Sequence, residues 1–450
     1  MSSASLKTFL VAGIPRSLRP FWTRLEASPI GYRLAKGAFW SLAGAILSRG
    51  LGLVASILVA RMLGKKGFGE LGIIQSTVGM FGTVALFGLG ITATKYVAEF
   101  RERDPARASR VLTLSAIVSW GTGAVVALGL FGAAAWLAIH SLAAPHLVWE
   151  LRIAALLLLF EAINGAQTGA LAGFEAYRRI AQLNCVTGLA SFLFLPGGCW
   201  LFGLPGALGG LAATQALGCA LNRWGLAREA RRFRVPLWSA AWRGELPLLW
   251  RFSLPAVLAA LLVTATLWLC QTMLVRQPSG YQGMAEYAVG SQWRALVTYL
   301  PGLLCTAYLP VFSSLSALED AGKRRRLMLG ATAFAAGTTL LTALPVCLAA
   351  PWLLAAYGPG FQSARWILAL MLLAGAADSA NGIFVRTLMA ADRAWLRLIS
   401  NGLWALVQVI MALVLIPAYG ALGLAVSVCA AQVIHLAIQT PLTLFLCARR

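Results

Sequence analysis

About twelve long apolar runs, each broken from the next by a short polar stretch, limit this 450-residue chain more than anything else in it. A helix that crosses a bilayer needs about 20 mainly apolar residues. The runs fall at 37–60, 71–94, 111–138, 151–173, 180–202 and 205–224, then at 250–275, 286–313, 327–350, 364–388, 395–417 and 420–446. Only 12% of the residues are charged and 59% are hydrophobic, against about 25% and 45–50% in soluble domains. Little chain is left outside the spans. That excludes a soluble enzyme, a transcription factor, and a transporter with its own ATPase domain. The expected fold is an all-α integral membrane protein, with about 12 transmembrane helices in two pseudo-symmetric six-helix lobes around a central cavity.

The net charge of +22 points to nucleic acid in a soluble chain, but its distribution here gives another cause. With the N-terminus inside, 29 of the 37 Lys and Arg fall in cytoplasmic segments. Six fall outside: Arg61, Lys65, Lys66, Arg152, Arg276 and Arg365. This asymmetry is the positive-inside rule, so both termini are expected in the cytoplasm and no nucleic-acid partner is needed. The expected parts are a basic cytoplasmic tail (1–35), a first lobe (36–224), a basic cytoplasmic linker (225–249) and a second lobe (250–450). Gly67-Phe68-Gly69-Glu70-Leu71-Gly72 opens span 2, and the similar Gly283-Met284-Ala285-Glu286-Tyr287-Ala288 opens span 8, the matching place in the second half. Repeats of six spans share one orientation, so their pseudo-axis lies along the membrane normal.

At the junction of spans 1 and 2 the chain reads Ala60-Arg61-Met62-Leu63-Gly64-Lys65-Lys66-Gly67-Phe68-Gly69-Glu70-Leu71. This resembles the A-R-x-L-G-x-x-x-[FY]-G-x-[LY] stretch of Wzx-type oligosaccharide and polysaccharide flippases, in the multidrug/oligosaccharidyl-lipid/polysaccharide (MOP) exporter superfamily. Gly88-Leu89-Gly90 and Lys95-Tyr96-Val97-Ala98-Glu99 are similar to that family's exit from span 2, and the close match runs over about 36–115. The resemblance implies movement of an undecaprenyl-pyrophosphate-linked oligosaccharide, such as a polysaccharide, O-antigen or exopolysaccharide repeat unit. The direction implied is from the inner to the outer leaflet of a plasma membrane. It also implies partners among membrane lipids, the polymerase and other glycan-assembly proteins. Many relatives have fourteen spans, so the extra pair that some use for the lipid tail is missing from a twelve-span chain. In the junction motif, Arg61, Gly64, Phe68 and Gly69 are the residues to watch.

An ionisable side chain inside a span costs ~2.5–3.5 kcal/mol on insertion scales, so each needs a reason. Arg49 lies in span 1, Arg294 in span 8, Glu161 in span 4 and Asp378 in span 10. Helical spacing puts Ser291 and Thr298 on the face of Arg294, Asn164 and Thr168 on that of Glu161, and Asn381 on that of Asp378. One reading is a cavity in which Arg49 and Arg294 hold a pyrophosphate while Glu161 and Asp378 tune it or couple to an ion. The other is structural pairing between helices, such as Arg49 with Glu161. The resemblance favours the first for the arginines, because those flippases have a cationic central cavity.

No catalytic group, metal site or cofactor is expected. The chain has no G-x-x-x-x-G-K-[ST], no D-x-D and no carboxylate pair placed to serve a sugar-transferring or hydrolytic site, and its eight cysteines have no CxxC spacing. A flippase working by alternating access is therefore the leading expectation. A cation-coupled multidrug exporter of the same superfamily is the alternative, though it would favour carboxylates over arginines in its cavity. A membrane enzyme acting on lipid-linked sugars comes third.

Overall fold

A computed structural model describes residues 29–249, 253–307, 321–390 and 394–448. Most of the expected basic tail lies outside these residues. The described elements are α1 (Pro29–Leu86), α2 (Leu89–Phe100), α3 (Pro105–Trp136), α4 (Val148–Gly173), α5 (Tyr177–Arg232), α6 (Leu254–Val275), α7 (Gly280–Ala307), α8 (Ala321–Leu348), α9 (Ala350–Tyr357), α10 (Arg365–Ala390) and α11 (Ala394–Ala448).

Helices α1, α5 and α11 contain 58, 56 and 55 residues. At 1.5 Å per residue each would run more than ~80 Å, against a hydrocarbon core of ~30 Å. Each therefore turns back once, at Gly64, at Phe202-Gly203 and at Gly420, and supplies two spans. With α3, α4, α6, α7, α8 and α10 this makes the expected twelve. The polar break at 61–66 is thus not a loop. Gly64 takes φ +68°, a left-handed value that glycine tolerates at little cost, and helical residues flank it on both sides. The turns between spans alternate between two ends of the bundle. The near end holds the described chain termini and the segment 233–249; the far end holds Gly64, 142–147, Gly203, 276–280, 357–364 and Gly420.

The expected linker differs from a free connector. Helix α5 continues through Arg232, and Arg179 Nε pairs with Glu229 at 2.9 Å. The chain then folds back on α3. Ser239 N donates to Thr113 Oγ1 at 2.9 Å, and buried Glu245 takes Arg107 at 3.1 Å and Arg110 at 3.3 Å. A carboxylate buried among arginines fixes this segment against the first lobe.

The two lobes are α1–α5 and α6–α11, and they repeat in one register over most of their length. Asn164 Nδ2 donates to Gln215 O and Oε1 at 3.0 and 3.1 Å; at the matching place in the second lobe, Asn381 Nδ2 donates to Gln432 O and Oε1 at 3.1 and 3.0 Å. The kinks at Gly203 and Gly420 keep the same register, and so do Glu161 and Asp378. The arginines do not: in the register that pairs Gly67 with Gly283, Arg294 falls opposite Val78, and neither Ala265 nor Thr266, opposite Arg49, is charged.

Candidate functional site

Helix α1 carries the contacts between lobes, and they begin at the far end with the junction motif. Arg61 donates from Nε and Nη2 to the Ala356 and Ala355 carbonyls, near the C-terminus of α9, where carbonyls lack helical partners. Lys65 Nζ reaches Glu286, the Gly360 carbonyl at 2.9 Å and Ser363 Oγ at 3.2 Å. Phe68 is buried, edge-on to Tyr357 and Phe361 with 6.2 Å between ring centres. Gly69 meets α7 backbone to backbone: a Cβ there would lie 2.7 Å from the Tyr281 carbonyl carbon. Tyr281 OH donates to the Leu142 carbonyl at 2.7 Å, tying α7 to the first lobe again. All four watched motif residues sit in this closure: Gly64 makes the turn, and Arg61, Phe68 and Gly69 contact the second lobe.

Toward mid-membrane the contacts become polar. Gln292 Oε1 accepts from Ser56 Oγ at 3.0 Å and from Tyr357 OH at 3.4 Å, and Trp268 Nε1 donates to Thr77 Oγ1 at 3.0 Å. Between α1 and α7 lies a cavity of about 320 Å³ lined by Arg49, Ser56, Gln75, Ser191 and Gln292. The Arg49 guanidinium stands 4.1 Å above the Tyr299 ring of the opposite lobe. Gln75 and Ser191 also line a second cavity of about 470 Å³ inside the first lobe. Glu161, Asn164 and Thr168 face that cavity, as their helical spacing requires, and also line a groove that runs to Thr94 and Lys95 of α2. Gly82 makes room for Glu161, since a Cβ there would sit 2.9 Å from Oε2.

The other two intramembrane charges have different surroundings. Arg294 is half-buried in the second lobe, its stem against Gly375 of α10, with Nη1 buried and unpartnered. Thr298 shares that face, as expected, and donates to the Arg294 carbonyl. Arg294 is not in the lining of the cavity that holds Arg49. Asp378 is exposed, whereas Asn381, placed on its face by spacing, is buried in its bond to Gln432. Among the described residues none of these four charges forms an ion pair, so the alternative pairing of Arg49 with Glu161 is not made. The sequence reading missed Gln75, Gln292 and Tyr299. A lone amide or phenol in a span raises no alarm.

A twelve-span bundle in two repeated lobes, closed at one end by α1 and with a cavity between the lobes, is a fold shared with membrane transporters of known structure. The inward-facing conformation of a multidrug resistance MATE family transporter of the MOP superfamily matches it with a TM-score of 0.75. That likeness covers 91% of this chain and 98% of the other at 16% identity, and it concerns the fold. The chain belongs to the polysaccharide biosynthesis protein family, whose model matches residues 34–316. It is 27% identical over 398 residues to the EPS I polysaccharide export inner membrane protein EpsE of Ralstonia nicotianae, covering 86% of this chain and 88% of that one. It is 24% identical over 412 residues to the lipid III flippase of Escherichia coli, covering 89% and 96%.

Proposed function

We propose that this protein is a flippase that carries an undecaprenyl-pyrophosphate-linked oligosaccharide from the inner to the outer leaflet of the inner membrane by alternating access. It breaks no covalent bond of its cargo. The observation that carries this reading is Arg49: an arginine with no carboxylate partner, on the wall of a cavity between the lobes of a polysaccharide-family transporter. A guanidinium offers two parallel N–H donors to phosphate oxygens, and the diphosphate supplies the counter-charge that the cavity lacks. Names of relatives point the same way, one for polysaccharide export and one for flipping a lipid. The MATE likeness reflects the shared fold and does not favour a cationic drug in a cavity whose charged wall is an arginine. In this reading the near end faces the cytoplasm, in keeping with the basic residues there, and the lobes 36–224 and 250–450 rock so that the far-end closure opens as the near end shuts. Arg294 serves as a second cation for the diphosphate once the lobes move.

The test is a strain lacking the protein. It should accumulate lipid-linked oligosaccharide facing the cytoplasm while synthesis of that intermediate continues. Wild-type protein should restore glycan export. Arg49→Ala and Arg294→Ala should not, at equal protein levels in the membrane, and Arg294→Lys should restore part of it. Normal export by well-expressed Arg49→Ala and Arg294→Ala would remove both from headgroup binding. Loss of the lipid-linked intermediate itself in the deletion strain would point to an enzyme instead.

A further inference from the structure

The internal repeat brings out a difference between the lobes that the charges alone do not. Both keep the Asn–Gln clamp described above, so the helices around the equivalent spaces are held alike. What fills those spaces is not alike. In the second lobe Trp404 and His435 are buried, at 4% and 7% exposure, where the first lobe has Thr187 and Gly218. His435 bonds Ser400 at 2.8 Å and lies 2.9 Å from the Gln439 amide nitrogen. Buried Gln408 donates to Ser427 at 3.0 Å. Here large side chains are buried where the first lobe has small ones.

In the first lobe the smaller residues leave the cavity of about 470 Å³, within the ~300–1,000 Å³ typical of small-ligand pockets. Gln75, Glu161, Asn184 and Ser191 face it, and none of their side chains has a hydrogen bond or ion pair to protein among the described residues. Polar groups left open at this depth call for water or a polar ligand. The lining mixes one carboxylate with amides and hydroxyls, and it contains neither Lys, Arg nor an aromatic ring. Such a wall accepts and donates many hydrogen bonds, as a polyol requires. It repels an anion and gives no flat apolar face to an aromatic drug. Gln75 and Ser191 join this cavity to the one that holds Arg49, and Ser48 lines the first while its neighbour Arg49 lines the second.

We propose that the first-lobe cavity is a saccharide subsite, which takes neutral sugar residues of the lipid-linked oligosaccharide while the diphosphate lies at Arg49. The second lobe is the plugged counterpart, so the cargo is bound asymmetrically. This assignment rests on the flippase reading above, and its test separates the two.

Lipid-linked oligosaccharide extracted from the deletion strain and sugar-free undecaprenyl pyrophosphate serve as probes, with binding to the full-length protein in detergent read by native mass spectrometry. Asn184→Leu and Ser191→Leu each put an apolar side chain into the cavity from different positions, so either can carry the test if the other fails to give a monodisperse protein. Each should weaken binding of the oligosaccharide by about tenfold or more, the loss of one to three hydrogen bonds, and leave the sugar-free probe within about twofold of wild type. Arg49→Ala should weaken both probes. The subsite is overturned if the leucine variants bind both probes as wild type does, or weaken both alike. It is also overturned if Glu161→Gln leaves both affinities unchanged but removes a dependence of transport on a proton or sodium gradient, which would make the cavity a cation site. Wild-type protein that binds the two probes equally would sink the subsite and leave the flippase reading to the deletion strain.

Discussion

Gly69→Ala is the smallest change that tests whether the far-end closure is a working gate. A Cβ at this position would overlap the carbonyl oxygen of Tyr281 and lie 2.7 Å from its carbonyl carbon and 3.2 Å from the backbone nitrogen of Ala285. Non-bonded heavy atoms rest at ~3.5–4.0 Å, so α1 and α7 must separate by well over ~1 Å. The obstructing atoms belong to helical backbone and cannot rotate aside as a side chain would. Overpacking of this kind costs ~1–3 kcal/mol. The whole cost falls on the state in which the far end is closed, because in the open state the lobes no longer touch there. An equilibrium between the two states therefore shifts toward opening by ~5–150-fold. Spin labels at Trp149 in the first lobe and Arg365 in the second, both exposed near the far end, report the separation by pulsed electron resonance in lipid nanodiscs. The Gly69→Ala distribution should gain a longer-distance population, and export in the deletion strain should fall while protein level stays normal. An unchanged distance distribution together with full export would refute the argument that this contact closes the gate.

The same labels should measure the Lys65–Glu286 link, which is part-buried across the same closure. A double-mutant cycle with Lys65→Met and Glu286→Gln should give a coupling of about 1 kcal/mol in favour of the closed state, the upper end for exposed pairs; zero coupling would reduce it to an incidental contact. Topology is read independently by reporter fusions: those near 104, 228 and 322 should report cytoplasm and those near 145, 279 and 358 the outside. One of the latter found inside would break the proposed orientation.

Span number and the positions of the charges within spans were legible because both depend on local composition. A run of ~20 apolar residues has few alternatives to a spanning helix, and an arginine inside one is conspicuous. The form of the junctions was harder to read. The string Arg61 to Lys66 has the polarity of a loop, yet one left-handed glycine suffices for the turn, and Arg61 and Lys65 project onto the second lobe. Their partners, the Ala355, Ala356 and Gly360 carbonyls, lie far along the chain and are backbone groups that no sequence pattern marks. The stripe Glu161-Asn164-Thr168 faces one cavity as spacing dictates, but spacing did not tell Arg49 from Arg294. Both are single arginines in apolar helices, and only the packing of α7 puts Arg49 against the seam and Arg294 against α10.

The pair Glu161 and Asp378 shows why identical backbone positions need not share a role. Each stands one helical turn before an Asn whose amide clamps the neighbouring long helix, and the two clamps have nearly the same geometry. Those clamps fix helix spacing, and a broken one leaves a buried amide unsatisfied at ~1–3 kcal/mol, so they belong to the frame. The acids beside them are set by what the frame leaves open. Around Glu161, glycines at 82 and 218 and threonines at 168, 187 and 214 keep a polar space between helices. Around the second clamp, Trp404 and His435 occupy the corresponding space, and Asp378 lies exposed. A lobe filled in this way leaves little room at that place, whereas the first lobe keeps donors and acceptors available to a ligand that passes through. Two lobes built on one frame can thus divide the work between a body that holds cargo and a body that closes over it.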